Sequence, residues 1–564
     1  MAGNTIKTSR NQEYDVIMSE TIGLNQLDKA KEVDRNEELA YRTIQAAVSQ
    51  GVSEFCICPG ARNSPFLPIF KQNPQLKTYF WFEERSAAFF ALGRSKQTQR
   101  PVAVITTSGS AAGELLPAAM EAYYTAIPLL LITADRPRRF RGSGAPQSAE
   151  QVGLFGQYAT FQLDIAENDN CDLKSWSKNA PGHLNVCFEE PKRKFSGNAY
   201  PLEYQLSNED KMTTEIYRHL HLLAQRHVLN DFLELVNCPL VVVSTLKPQA
   251  QETVAQFLVK LNAPVILEGV SGLREDSRLQ HLKINRTENL WNNAKAANYP
   301  IDGILRIGGV PTFRLWRDLE EKQSTIKVCS ISDVPFSGLS WAGVVPTDID
   351  LFLADYPVAS PIKAIKHDEW LRSDNIYFQK LLKLFEEEPK AEASLMHQLS
   401  RIIPKGSRIY LGNSLPIREW DLAATCEAKE FIVNASRGIN GIDGQISTCL
   451  GLAKAGSSNW GIFGDLTTLY DMAGLWILSH LENLSLNLVV INNGGGKIFD
   501  RMFEDKAMLN AHGINFEPLA KLWSLPYEQW RTVPLDDLNK GSRIIEIVPD
   551  NEASNRFLDK LAKL

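Results

Sequence analysis

Phe463-Gly464-Asp465-Leu466 opens, and Asn492-Asn493-Gly494-Gly495-Gly496 closes, the stretch from Phe463 to Phe499 that decides how the remaining residues are read. The mostly apolar run 486–491 predicts a buried strand, and the short apolar run 461–463 predicts another. In a parallel sheet these two strand ends sit side by side, each closed by a small polar group. Ligand sites in such sheets lie at the carboxyl ends of the strands. Asp465 offers a hard anionic oxygen and Asn493 a neutral carbonyl oxygen. Gly495 can present its backbone carbonyl because no side chain blocks the approach. Three protein oxygens of this kind suit Mg²⁺, which keeps its other positions for water or phosphate. An ordinary βαβ unit with glycine turns accounts for the same residues, so the motif alone leaves both readings open.

At 564 residues the chain is long enough for several domains, and three are expected. Its 44% hydrophobic and 22% charged residues are ordinary for a globular protein. A net charge of −6 argues against a general nucleic-acid binder. None of the eight cysteines forms a CxxC pair, and Cys56 and Cys58 alternate on a predicted strand. They read as small apolar residues in a reducing compartment, and a cytoplasmic location is expected. No apolar run reaches about 18 residues, so no membrane span is expected. The N-terminus lacks an apolar signal core, and residues 1–35 read as a polar extension.

Asn36 is positioned to cap a first helix, with Glu37 and Glu38 in its first turn. A strand at 55–58 leads into Pro59-Gly60-Ala61-Arg62-Asn63-Ser64-Pro65, where an arginine among small residues is a candidate anion site or a solvated turn. The run 78–82 precedes Glu83-Glu84-Arg85 and a helical run 86–95. A carboxylate at a buried strand end is costly unless paired or functional. Glu83 fits a helix-capping role, which leaves Glu84 as the functional candidate. Strands at 101–107 and 128–133 with a helix at 114–124 continue the alternation, which indicates a parallel α/β layer. The segment 192–208 reads as a linker. Weaker strands at 240–244, 265–267, 304–307 and 326–331 follow, and 386–389 reads as a second, acidic linker. The resulting domains are 36–208, 209–385 and 386–564. In the last of these, a strand at 408–411 ends in Gly412-Asn413-Ser414, with Arg418 one helical turn beyond. Ser436-Arg437-Gly438 and Gly441-Ile442-Asp443-Gly444 come next.

Taken together, these segments resemble one family of thiamine diphosphate (ThDP) enzymes, the 2-succinyl-5-enolpyruvyl-6-hydroxy-3-cyclohexene-1-carboxylate synthases, or MenD family. The resemblance rests on 58–65, 84–93, 106–122, 133–137, Gly412-Asn413-Ser414, 436–444 and Asn492 to Phe499, in that order. It is strong over 36–190 and 405–505, faint in the middle and absent before 36. It implies an α/β chain of three domains, with parallel sheets flanked by helices in the ThDP-binding fold: pyrimidine-binding, middle and diphosphate-binding. It implies a cofactor held between two subunits, hence a homodimer or homotetramer, with Mg²⁺ or Mn²⁺. The implied reaction decarboxylates 2-oxoglutarate and adds the succinyl carbanion equivalent to isochorismate in menaquinone or phylloquinone biosynthesis.

The resemblance makes Glu84 the catalytic acid that bonds the aminopyrimidine ring, and a residue after an apolar strand suits a raised pKa. It puts Ser414, Ile442, Asp465, Asn493 and Phe499 at the cofactor, with Asp465, Asn493 and Gly495 on the metal. It assigns substrate contacts to Arg62, Arg136, Gln147, Ser414, Arg418, Arg437, Phe499 and Met502, and on a weaker match to Arg314. The two substrates bring several carboxylates, each needing a cationic or dipolar partner when taken from water. His183 reads as structural. Ala61, Pro146 and Phe313 depart from the family's usual serine, asparagine and lysine, which bears on substrate more than on cofactor. Met502 replaces a leucine at similar volume. Another ThDP-dependent 2-oxoacid decarboxylase or carboligase is the nearest alternative, but its frequent His-His pair is missing here. A non-catalytic ThDP-fold binding protein is the other, and retention of Glu84, Asp465 and Asn493 speaks against it.

Overall fold

The computed structural model describes residues 34–203, 225–323, 325–358, 366–535 and 541–564. The expected extension lies outside them except for its last two residues, as does the end of the first linker. The N-terminal sheet contains β1 (Glu54–Ile57), β2 (Lys77–Phe80), β3 (Val102–Thr106), β4 (Leu129–Asp135), β5 (Phe161–Ile165) and β6 (Gly182–Cys187). The middle sheet contains β7 (Pro239–Val243), β8 (Val265–Leu267), β9 (Gly303–Ile307), β10 (Lys327–Ser332) and β11 (Val345–Pro346). The C-terminal sheet contains β12 (Arg408–Leu411), β13 (Ile432–Asn434), β14 (Asn459–Gly464), β15 (Leu486–Ile491), β16 (Tyr527–Trp530) and β17 (Arg543–Ile547).

All pairings between these strands are parallel. The orders are β2-β1-β3-β4-β6-β5, β11-β10-β9-β7-β8 and β13-β12-β14-β15-β17-β16. The two outer sheets therefore share one topology. Helices cover both faces, which is why β3, β4, β7, β9, β15 and β17 are buried at every position; β3, β4, β7 and β15 read as mostly apolar runs rather than alternating ones, while β9 and β17 carry buried charged residues. β14 and β15 run in register with Gly464 opposite Ile491, so Asp465 and Asn492 leave the sheet side by side.

One apolar core is common to the two outer sheets. It includes Phe89, Phe90 and Leu92 from the helix Glu84–Thr98 and Ile446, Cys449 and Leu450 from the helix Gln445–Leu452. These helices cross at backbone contact. A Cβ on Gly93 would lie 2.3 Å from Thr448 O, and one on Gly451 would lie 2.3 Å from Phe90 O. Polar bonds frame the crossing: Ser86 Oγ donates to Asp471 Oδ1 at 3.3 Å, and Arg85 Nη2 donates to Tyr470 O at 3.0 Å. Arg94 forms an ion pair with Glu54 at 2.7 Å, and half-buried Lys96 donates to Ala435 O at 3.0 Å.

Several local expectations shift. The first helix is Arg35–Ser49 and its cap is Asp34, whose carboxylate accepts from Asn36 N and Glu37 N; Asn36 lies inside the first turn. The acidic run is not a free linker. Glu386 and Glu387 end the helix Asp368–Glu387, and Glu388 is neutralised by Arg556 and Lys560 at 3.0 and 2.9 Å. The 114–124 helix is Leu116–Tyr124, preceded by a short turn Ser110–Gly113. β5, β11, β13, β16 and β17 have no counterpart among the strands expected from the sequence, and β11 and β13 are only two and three residues long. β5 and β16 are short and mixed in polarity, and β17 carries buried Arg543 and Glu546 within its run. His183 is buried on β6 and its Nε2 lies 2.8 Å from Thr133 Oγ1, in keeping with a structural role. All eight cysteines are free thiols. Among the described residues no helix is long and apolar enough to cross a membrane.

The crossing yields a test. Gly451→Val forces a side chain into the Phe90 carbonyl, and overpacking of this kind costs about 1–3 kcal/mol. The thermal unfolding midpoint should fall clearly below that of the parent chain. An unchanged midpoint would mean that the two helices separate without penalty.

Candidate active site

Glu83 and Glu84 divide their work at the start of the helix that follows β2. Glu83 is the N-cap, and its carboxylate accepts from Arg85 N at 3.2 Å and Ser86 N at 2.8 Å. Glu84 is left without that duty. It is half-buried, and burial, aided by the nearby Glu83 and Glu114 carboxylates, raises its pKa above the ordinary glutamate value. It lines a cavity of about 700 Å³ together with Glu83, Arg85, Thr107, Ser108, Gln147 and neighbouring residues. Every lining residue comes from the N-terminal part of the chain.

Gln147 reaches this cavity from a loop in which its own φ is +54°. Its backbone packs on Gly109, where a Cβ would stand 3.3 Å from Gln147 Cα. Arg136 Nε donates to Pro146 O at 2.8 Å, so the arginine steadies the loop that carries Gln147. Arg62, in the loop after β1, is buried and is not among the residues that line this cavity. It donates to the carbonyls of Phe188 and Glu189 and pairs with Glu190 at 3.0 Å.

The C-terminal sheet supplies a second set. Asp465 begins the helix Asp465–Tyr470 and is buried. Its Oδ2 accepts from Gly494 N and Gly495 N, both at 2.9 Å, and its Oδ1 accepts from Leu466 N at 2.6 Å. His512 Nε2 lies 3.3 Å from Oδ2. Burial raises the Asp465 pKa despite these donors. Gly495 has φ +139°, and a Cβ there would meet Leu509 O at 2.5 Å, so only glycine suits the turn. Its carbonyl accepts one bond, from Lys497 N at 2.8 Å, leaving a second lone pair.

Asn493 is buried, and its Nδ2 donates to both carboxylate oxygens of Glu392 at 3.0 Å. Its Oδ1 is buried with no partner. An orphaned acceptor of this kind costs free energy on the order of 1–3 kcal/mol unless something occupies it. No cluster of three or more His, Cys, Asp or Glu side chains suited to a metal occurs among the described residues. The available set is instead one carboxylate, one orphaned amide oxygen and one backbone carbonyl, which fits a hard divalent cation that retains water or phosphate ligands.

A third group gathers where β12 and β13 end. Ser414 has φ +75° and caps the helix Leu415–Ala423, and its carbonyl accepts from Arg418 Nη1. Arg437 Nη1 donates to Asn413 Oδ1. Asn413 Nδ2 donates in turn to Ser436 O at 3.0 Å and Gly441 O at 2.7 Å, which ties Arg437 to the turn bearing half-buried Ile442. Burial lowers the pKa of both Arg418 and Arg437, opposed by Glu268 and Asp421. Glu268 follows β8 in the middle sheet, is wholly buried, and accepts from Thr312 N at 2.6 Å. Burial, then the neighbouring Glu268, pushes the Asp421 carboxyl up. Asp421 accepts from Gly269 N at 2.6 Å.

Phe499 and Met502 are 37% and 56% exposed, beyond the glycine turn. Arg314 is 80% exposed and faces Asp318 at 3.4 Å; nothing draws it toward the other arginines. Sequence reasoning missed Glu392, Glu268, Asp421 and Glu121, all acids that serve another residue rather than open space. Glu121 is buried on the helix Leu116–Tyr124 and accepts from Gly438 N at 2.9 Å and Ile439 N at 2.8 Å. Its only signal in the sequence is a carboxylate within an otherwise apolar helix.

Comparison with known proteins agrees with this geometry. Residues 38–154 match the family model described as thiamine pyrophosphate enzyme, N-terminal TPP binding domain. A 2-succinyl-5-enolpyruvyl-6-hydroxy-3-cyclohexene-1-carboxylate synthase of Bdellovibrio bacteriovorus is 43% identical over 93% of this chain and 98% of its own length. One of Akkermansia muciniphila is 37% identical over 91% and 96%. A more distant one, of Bacillus pumilus, is 28% identical over 91% and 94%.

The Glu121 bonds predict a local effect. Glu121→Ala strips two backbone N–H groups of their acceptor, a loss on the order of 1–3 kcal/mol for each group left unpaired. Hydrogen exchange at Gly438 and Ile439 should accelerate while exchange in β14 and β15 stays as it was. Unchanged protection at those two amides would show that the loop is held by other means.

Proposed function

This chain belongs to the 2-succinyl-5-enolpyruvyl-6-hydroxy-3-cyclohexene-1-carboxylate synthase family, and from that premise we propose how its residues divide the work. It is a thiamine diphosphate-dependent enzyme of menaquinone biosynthesis that decarboxylates 2-oxoglutarate and adds the remaining succinyl unit to isochorismate. Thiamine diphosphate, when bound, supplies the electron sink that the decarboxylation needs.

The observation that carries the residue assignment is Glu84, a carboxyl made hard to ionise by burial and facing a cavity. Such a group holds its proton toward a ring nitrogen of the aminopyrimidine. Asp465, Asn493 Oδ1 and the Gly495 carbonyl would hold Mg²⁺ or Mn²⁺ and through it the diphosphate. Ser414, Ile442 and Phe499 would line the cofactor.

Arg418 and Arg437 would receive substrate carboxylates. Arg437 is half-buried with Arg418 beside it, and such a guanidinium gains from an incoming anion more than a fully exposed one does. Arg62, Arg136 and Gln147 would act from the N-terminal side, with Phe499 and Met502 forming an apolar wall. Arg314 has the least structural support, since its side chain faces solvent.

The Glu84 cavity has no lining residue from the C-terminal sheet, and the Asp465–Asn493 site is built without the N-terminal one. This separation supports a site completed by a second copy of the chain, at least a homodimer. Exposed Phe82, Tyr470, Met472, Phe499 and Met502 give such an association apolar surface to bury. The domains would run 36–208, 209–385 and 386–564, in the cytoplasm.

Two substitutions test this reading. Glu84→Gln keeps the shape but cannot exchange a carboxyl proton. Turnover of 2-oxoglutarate with isochorismate should fall by about 10²-fold or more, with the melting temperature preserved. Turnover at the parent rate would remove Glu84 from the chemistry. Arg437→Ala should raise the KM for a substrate by about 10-fold or more, the scale of one lost charge-assisted bond, while ThDP affinity stays near the parent value. An equal loss of ThDP affinity would move Arg437 to the cofactor.

A further inference from the structure

Asn493 can serve a cation only if its amide is turned the right way. An asparagine side chain has one acceptor end and one donor end of nearly the same shape, and isolated it presents either. Here the choice is fixed by Glu392. A carboxylate offers acceptors only, and both of its oxygens lie 3.0 Å from Asn493 Nδ2. The NH₂ group must therefore face Glu392, and Oδ1 must face the opposite way, where it stands buried and unpartnered.

Glu392 is itself held from two sides. It is the first residue of the helix Glu392–Ile402. Its backbone N donates to Ser554 Oγ at 3.1 Å, which ties that helix start to the helix Asn551–Leu561.

We propose that Glu392 is a positioning residue: it locks the Asn493 amide so that Oδ1 points at a divalent cation. The proposal rests on the reading of Asn493 as a metal ligand. Glu392 touches neither the cation nor any reacting atom, and its whole effect passes through one side chain. Partners of this outer kind change metal affinity by about 10–100-fold.

The test is a double-mutant cycle on the full-length chain, read as Mn²⁺ affinity by electron paramagnetic resonance of free Mn²⁺ at saturating ThDP. Glu392→Ala should weaken Mn²⁺ binding by about 10-fold or more. Asn493→Ala should weaken it as well. In the Asn493→Ala background, Glu392→Ala should add nothing, because the side chain it orients has gone. Losses that simply add would make Glu392 a general structural residue and overturn the proposal. So would parent affinity in Glu392→Ala alongside a loss in Asn493→Ala. Parent affinity in Asn493→Ala would overturn the ligand reading itself, and the proposal with it. If Glu392→Ala does not fold, Glu392→Gln runs through the same cycle. It retains one acceptor oxygen, so its loss should be smaller and again absent without Asn493.

Discussion

Asp465 ties two strand ends together. Its carboxylate leaves β14 and accepts the backbone N–H groups of Gly494 and Gly495 from the turn after β15. That bond pair folds the glycine turn over the end of the sheet and sets where Asn493 and the Gly495 carbonyl can be. It requires a parallel register, because only with Gly464 opposite Ile491 do the two turns start at the same height. It also requires glycine at 495, where φ is +139° and the Leu509 carbonyl leaves no room for a Cβ. The anion is buried at a helix start, where the orphan amides of the first turn offset part of its desolvation.

The outer sheets repeat one strand order, and in both the candidate site residues follow the carboxyl ends of strands. In the first sheet, Glu84 follows the strand beside β1, and the cavity wall Thr107 and Ser108 follows β3. In the second, Arg437 follows the strand beside β12, and Asp465 follows β14. In each case these residues flank the strands where chain order reverses, the place where open α/β sheets form a crevice. The division of labour differs because the side chains differ. A protonatable acid with a raised pKa suits a neutral heterocycle, and a carboxylate with neutral oxygens suits a cation and its phosphates. The helices that cross at Gly93 and Gly451 fix the two sheets to each other within one chain, with Glu84 on the first turn of one of those helices.

Where an element is uniform in polarity, the sequence discloses it. β3, β4, β7 and β15 are mostly apolar runs stopped by turn residues, and the ends of β14 and β15 locate Asp465 and Asn493 without further help. The parting of Glu83 from Glu84 is also legible, because a helix start needs one capping acid and the sequence supplies two. What the sequence hides is pairing at a distance. Nothing local marks Glu388 as the partner of Arg556 and Lys560, so an acidic run reads as a solvated linker. Nothing local marks Asp34 as a better cap than Asn36. β17 escapes notice because Arg543 and Glu546 interrupt it, and both are satisfied by distant groups: Arg543 by Asn487 and Glu528, Glu546 by Asn492 and Tyr527.

Distant pairing also hides the acids around the site. Glu392, Glu121, Glu268 and Asp421 each look like surface residues in one dimension, yet each carboxyl is bonded by backbone N–H groups, an amide or a hydroxyl. An arginine cluster alone would repel itself: Arg418 depresses the pKa of Arg437. Glu268 and Asp421 oppose that effect from nearby, while their own bonds go to Thr312 and to Gly269. The arginines are held instead by neutral acceptors, Arg418 by the Ser414 carbonyl and Arg437 by Asn413 Oδ1. Asn493 is the contrasting case: there an acid bonds the side chain directly, and both oxygens of Glu392 hold the donor end of the amide so that Oδ1 faces away from it.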